Sequence, residues 1–236
     1  MGLTLANLNT RLQMLVGDTT SGEDANRVNA LADADVELSS IKGHWRVRSH
    51  AYTTVSSPSM AADSYQLNTP TSPAFDSPFR LYYRDSGIVK DVKIKSRSEW
   101  LALSDTSQSD YPRWFRVAQT ASTTQLELDR KLSSAFVANI GTLTLEYYIA
   151  ITRLSGTSDE SILPDNLRLY IVPVAGHLYA LGQGDVALAD RLRVEAERAR
   201  DAVRLYDLEF QARPRQIRPT GAYAPGDLET DTGDYR

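Results

Sequence analysis

The stretch LPDNLRLYIVPVAGHLYALGQGD, Leu163 to Asp185, decides how the rest of the chain is read. Leu167, Ile171, Val174, Leu178 and Leu181 recur at spacings of three and four, the mark of one apolar helical stripe. Pro173 removes a backbone donor and crowds the carbonyl of Leu169, which predicts a kink in that helix. Gly182-Gln183-Gly184-Asp185 then ends it, and a heavily charged segment follows at once. No side chain in the stretch suggests a catalyst.

The segment after it, about Asp185 to Phe210, is the clearest element in the sequence. Ala189, Leu192, Ala196, Ala199, Val203, Tyr206 and Phe210 step by three and four throughout. Small residues in the middle let a partner helix approach closely, and larger ones close the end. The opposite face carries Arg191, Arg193, Glu195, Glu197, Arg198, Arg200, Asp201 and Arg204. Arg193–Glu197 and Glu197–Arg200 have the spacing of helical ion pairs. Such a face is either solvated or turned toward a neighbouring subunit, because both signs alternate along it.

The chain opens in the same helical register. Leu5, Leu8, Leu12 and Leu15 follow Thr4, a candidate N-cap, and the helix closes near Gly17-Asp18. A second helix spans about Glu23 to Ile41, with Val28, Leu31, Leu38 and Ile41 on one stripe, and ends at Gly43. Glu23 and Asp24 stand at its start, where the helix dipole favours acids. Between the helical ends the period changes to two. HWRVRSHAYTTV (His44 to Val55), YQLN, FRLYYR, IVKDVKIK, RWFRVAQT, TQLELD and LTLEYYIAIT are strand-like, with turn signals such as TPTSPAFDSP, RDSG and ANIG between them. Residues 44–153 therefore predict an antiparallel β domain of six to eight strands, interrupted by a short helix around Arg97 to Leu103. The tail from Gln211 has three prolines, three glycines and no periodicity along its length. Arg213, Arg215 and Arg218 come first in it, and Asp227, Glu229, Asp231 and Asp234 later. It cannot bury a core alone.

The fold class is thus α+β. Two N-terminal and two C-terminal helices (1–43 plus 154–210) form a discontinuous bundle, into which an antiparallel β domain (44–153) is inserted. An extended C-terminal arm (211–236) follows.

Composition narrows the function. The chain has 236 residues, 42% hydrophobic and 24% charged, which is globular, and its net charge is −4. Nucleic-acid binders draw affinity from a basic excess, so DNA is excluded as a bound ligand more than as a neighbour. With no cysteine there is no disulfide, thiolate nucleophile or Cys-ligated zinc. The N-terminus lacks a signal-peptide pattern, and no apolar run approaches the ~18 residues of a membrane span. His44 and His50 share strand parity but lie about 20 Å apart, too far to chelate one ion, and His177 has no carboxylate at chelating spacing. GQGD has helices on both sides, so it is a turn and not a phosphate cradle. Glu195 and Glu197 point to different faces of a helix. No catalytic, metal or cofactor site emerges.

The order of parts resembles the head-to-tail adaptor proteins of tailed bacteriophages. The most specific segment is DESILPDNLRLYIVPVAGHLYALGQGDVALADRLRVEAERARDAVRLYD. There Leu163-Pro164-Asp165, Gly182 to Asp185, and Tyr206 to Phe210 match the family's pattern of Leu-Pro-acid, apolar helix, Gly/Asp turn and charged helix ending in aromatics. VNALADADVELSSIKGHWRVRSHAYTTV looks like the family's helix that ends in an aromatic residue and leads into the first strand. Pro173 departs from the uninterrupted family helix. The resemblance implies a structural virion protein of the neck. It would form a ring, usually of twelve copies, under the portal protein, joined to the next neck or tail protein. DNA would pass through its channel without specific binding, and no membrane or cofactor would be involved. It also implies bundle packing through Leu167, Ile171, Val174, Leu178, Leu192, Ala196, Ala199, Val203 and Tyr206. The arm is the expected portal-docking element, with Arg213, Arg215, Ile217, Arg218, Tyr223 and Tyr235 as its contacts. Three other readings stay open: a tail-completion or other neck protein; a helical-repeat module, from the rhythm of HLYALGQGDVALADRLRVEA; and a wall hydrolase using Glu146.

Overall fold

The computed structural model describes residues 3–41, 43–101, 109–119 and 123–212. Its first helix, α1 (Leu5–Val16), starts at an extended Thr4 and stops at Gly17, whose φ of 71° is the left-handed conformation glycine adopts freely. The Gly17 N–H donates to the Gln13 carbonyl, satisfying one of the last free acceptors. A 3-10 turn (Ser21–Glu23) leads into α2 (Asp24–Ser39), which buries Ala30, Leu31, Ala34 and Leu38. After the β region come a 3-10 turn (Arg168–Tyr170), α5 (Ile171–Gly182) and α6 (Val186–Ala212). Helix α5 packs on α6, α2 and α1. One apolar cluster joins Leu5, Leu8 and Leu12 to Leu31, Leu38, Ile171, Val174, Ala196, Ala199 and Val203.

Two expectations for α5 are corrected. Pro173 is the third residue of the helix, not its middle. In the first turn a backbone N–H has no partner to lose, so the proline is accommodated by a late start instead of a kink. Leu181 is 55% exposed despite lying on the apolar stripe. It belongs to the last turn, where the chain enters the exposed Gly182–Asp185 loop.

The β region holds a seven-stranded sheet in the order β1 (Val47–Tyr52), β9 (Leu143–Ile149), β3 (Phe75–Asp85), β4 (Ile88–Ile94), β6 (Trp114–Gln119), β7 (Thr124–Leu128) and β2 (Gln66–Asn68). A separate pair joins β5 (Ser109–Asp110) to β8 (Lys131–Leu132). The sheet is mixed, not antiparallel throughout: β4 and β6 are parallel. The long connection between them, which carries α3 (Arg97–Leu101), supplies the crossover that parallel neighbours require. The strands outnumber the expected six to eight because β5 and β8 are two residues each, too short to alternate. A further helix, α4 (Ser134–Asn139), was not foreseen. Six residues show no helical period, but Ser133 caps it by accepting the Phe136 N–H at 3.0 Å. The expected end of the helix after Arg97 at Leu103 lies outside the described residues.

Alternation separates the two faces of the sheet. Leu81, Phe115, Leu126, Leu128, Leu143, Leu145 and Tyr147 enter a second apolar cluster that Phe136 of α4 and Met60 complete. The opposite face carries cross-strand ion pairs, Arg80–Asp91 at 2.6 Å and Arg116–Glu127 at 2.5 Å. A sheet packed on one side only is polar on the other for this reason.

Candidate interaction surfaces

The α5–α6 hairpin is built by its turn. Gly184 takes φ 73°, and Asp185 caps α6 by accepting the Leu188 N–H at 3.0 Å on Oδ1 and the Ala189 N–H at 2.9 Å on its carbonyl. His177 spans the hairpin, with Nδ1 at 3.0 Å from the Ala189 carbonyl oxygen. A Cβ on Gly176 would lie 3.0 Å from Leu15 and 3.2 Å from Leu192, so the glycine sets how closely α1 and α6 approach α5.

Of the residues assigned to helix packing, Leu167, Ile171, Val174, Leu192, Ala196, Ala199 and Val203 are buried, while Leu178 and Tyr206 are partly buried against the same cluster. The side chain of Phe210 lies outside the described residues. Along the opposite side of α6, Arg191, Arg193, Glu195, Glu197, Arg198, Asp201 and Arg204 are exposed, and so are Val194, Leu205 and Leu208. Arg200 does not stay on that face. It turns to α2 and holds Glu37 through both Nε and Nη2, the latter at 3.2 Å from Oε2. The charged surface is thereby divided into a part fixed within the chain and a part presented outward.

Three residues join the helices to the sheet. The sequence His44-Trp45-Arg46 forms a 3-10 turn, not the start of a strand, so the parity argument for His44 and His50 does not apply. His44 stacks on Tyr206 of α6 with ring centroids 5.8 Å apart. Trp45 is 7% exposed and belongs to the helical cluster. Arg46 is 3% exposed and donates to the carbonyls of Ile149 at 2.8 Å and Ser40 at 3.3 Å, and to Asp76 at 3.0 Å. It thus links the end of α2 to β9 and β3. His50 is held separately, with Nε2 2.9 Å from the Pro58 carbonyl oxygen.

The turn between α1 and α2 is clamped by charge. Arg27 is fully buried, 3.2 Å from Asp18 and 2.9 Å from the Thr20 carbonyl. Tyr179 of α5 donates to the same Asp18 carboxylate at 2.5 Å. That hydrogen bond, with those from Thr20, lowers the Asp18 pKa to about 2. Burial and the Asp18 contact push the Tyr179 phenol up to about 12. Beside them a groove of about 360 Å³ is lined by Asn26, Asn29, Asp33, Tyr179 and Gln183. Asp35, also buried, accepts hydrogen bonds from Ser161 and Ser39, and burial raises its pKa. The contacts of Tyr179 with Asp18 and of Ser161 with Asp35 were not visible in the sequence, since no local spacing relates those residues.

The acids weighed for catalysis do not come together. Glu146 is half-buried on β9 opposite Arg80 of β3, and Glu195 and Glu197 are exposed on α6. Among the described residues no group of three or more His, Cys, Asp or Glu side chains has metal-binding geometry. The expected docking residues Arg213, Arg215, Ile217, Arg218, Tyr223 and Tyr235 lie outside the described residues. No helix among the described residues is long and apolar enough to cross a membrane. The chain matches no family model, and no curated protein matches it in sequence.

Proposed function

We propose that this chain is a structural virion protein, a head-to-tail adaptor of a tailed bacteriophage. It assembles as a ring of about twelve copies under the portal, continues the DNA channel and receives the next neck or tail protein. A closed ring needs one face of a subunit to fit a different face of its neighbour. The domains on this reading are a discontinuous bundle (1–43 plus 154–210), an inserted β domain (44–153) and a C-terminal arm (211–236) that docks on the portal. Its role is assembly and not catalysis, and DNA slides past a net-acidic subunit without specific binding.

The observation that carries the proposal is the apolar cluster shared by Leu5, Leu12, Leu31, Ile171, Ala196 and Val203. Helices from both ends of the sequence meet there, with a sheet built from the residues between them. The outward charges of α6 give the subunit a face of both signs, suited to a neighbour of the same kind. Negative-stain images of the full chain, alone and mixed with portal protein, test the reading. Rings with a central hole, or density capping the portal, are the expected result. A chain that neither forms rings nor adds density to the portal refutes it.

A further inference from the structure

The ladder between β4 and β6 is short. Lys93 and Ile94 pair with Trp114 and Phe115, and the Lys95 N–H donates to the Phe115 carbonyl at 2.9 Å. Strand β6 continues through Gln119, still paired on its other side with β7. The carbonyl of Phe115 points toward β4, so the N–H and C=O of Val117 and the N–H of Gln119, two and four residues on, point the same way. Among the described residues nothing pairs with them. This open edge is one wall of a groove of about 550 Å³ lined by Ile94, Lys95, Arg97, Arg116 and Val117. Arg116 is held by Glu127 and lies 5.2 Å from the Trp100 ring, and Lys95 is 3.8 Å from Glu99. Arg97 is exposed and has no ion-pair partner among the described residues. Ile94 is 59% exposed and Val117 38% exposed. The groove thus offers backbone groups that no described residue pairs, a cationic rim and an apolar patch. That combination is recognised by an extended acidic segment adding as a strand.

The chain contains such a segment. Between Gly226 and Gly233, the sequence Asp227-Leu228-Glu229-Thr230-Asp231-Thr232 alternates strictly. As a strand it presents three carboxylates on one face and Leu228, Thr230 and Thr232 on the other. The distance is within reach. Tyr206 of α6 contacts His44, which leads into β1, and β1 is four places from β6 in the sheet. Four strand spacings are about 19 Å, and the residues from 213 to 226 span on the order of 45 Å when extended. We infer that the acidic segment Asp227–Thr232 of the same chain adds as a strand to the open edge of β6 at Val117 to Gln119, its carboxylates toward Arg97. It covers an edge that would otherwise template pairing between copies, and leaves the basic half of the arm for another partner.

Hydrogen exchange of the full-length protein, read at the Val117 and Gln119 amides, tests this without any portal. The control rearranges the segment to blocks of the same composition by Leu228→Glu, Glu229→Asp, Thr230→Leu and Asp231→Thr. Both amides should exchange at least about 10-fold faster in the rearranged chain. Equal rates would overturn strand addition, because composition and charge are unchanged. Arg97→Glu should speed exchange at the same two amides while far-UV circular dichroism stays constant. If it does not, the segment is not in this groove. Protection should be independent of protein concentration, and protection that vanishes on dilution would mean that the strand comes from another copy. The inference does not depend on the adaptor reading, so its failure would leave the imaging result to stand by itself.

Discussion

Gly43 lies against the indole of Trp45, where a Cβ would come within 2.3 Å of the ring. The ring is rigid and packed among the helices, so it cannot move aside as a flexible side chain does. Gly43→Ala should lower stability by about 1–3 kcal/mol through overpacking, read as a lower melting temperature with unchanged helix content. An unchanged melting temperature would mean that Trp45 is not wedged there. Asp18 offers a second test at this scale. Its pKa is depressed from 3.8 to about 2, so the fold favours the carboxylate. The stability it contributes is present above pH 3.8 and is lost as pH falls through about 2. Tyr179→Phe removes the first of the causes. The Asp18 titration, followed by NMR, should move up toward its ordinary value, and the acid loss of stability should begin at higher pH. A titration that stays near 2 would assign the depression to Thr20 and Arg27 instead.

At the scale of elements, α6 shows what small residues do in a helix interface. Ala196 is fully buried and Ala199 is 2% exposed, both in the middle of the face turned to the other helices. Ala199→Leu adds three carbons where no space exists and should cost about 1–3 kcal/mol. Thermal denaturation checks it. A variant as stable as the natural chain would place this stripe at a looser contact than the structure has. The α5 helix teaches a different lesson. The spacing of its apolar residues is helical from Leu167, yet the α-helix begins only at Ile171, after a 3-10 turn. Proline tolerates the first turn and not the middle, and the chain chose the start that costs least.

Across the whole molecule, Arg46 couples the two apolar clusters. Its guanidinium is buried and reaches α2, β3 and β9 at once. Arg46→Met keeps most of the aliphatic volume but removes these bonds and leaves the Ile149 carbonyl unpaired. A loss of about 2–3 kcal/mol is expected for charge-assisted hydrogen bonds of this kind. The sharper readout is calorimetric: if Arg46 makes helices and sheet melt together, its loss should split one transition into two. A single transition of unchanged width in the variant would move the coupling to His44, Trp45 and their contacts with Tyr206.

The sequence alone determined whatever repeats locally. The periods of α1, α2 and α6, the Gly17 and Gly182–Asp185 stops, and the alternation of β9 follow from side chains three, four or two residues apart facing one solvent or one core. Short elements escaped it: α4, β5 and β8 are too short to repeat a period twice, and His44-Trp45-Arg46 reads as strand because aromatic residues favour strands. Only the tertiary structure decided the rest. The parallel pairing of β4 with β6, the hydrogen bond of Tyr179 to Asp18, the reach of Arg200 to Glu37 and the link of Arg46 to Asp76 and Ile149 all bring together residues that no local spacing relates. Their partners are selected by the competition of every buried polar group for hydrogen bonds inside a closed volume, which no local window of sequence contains.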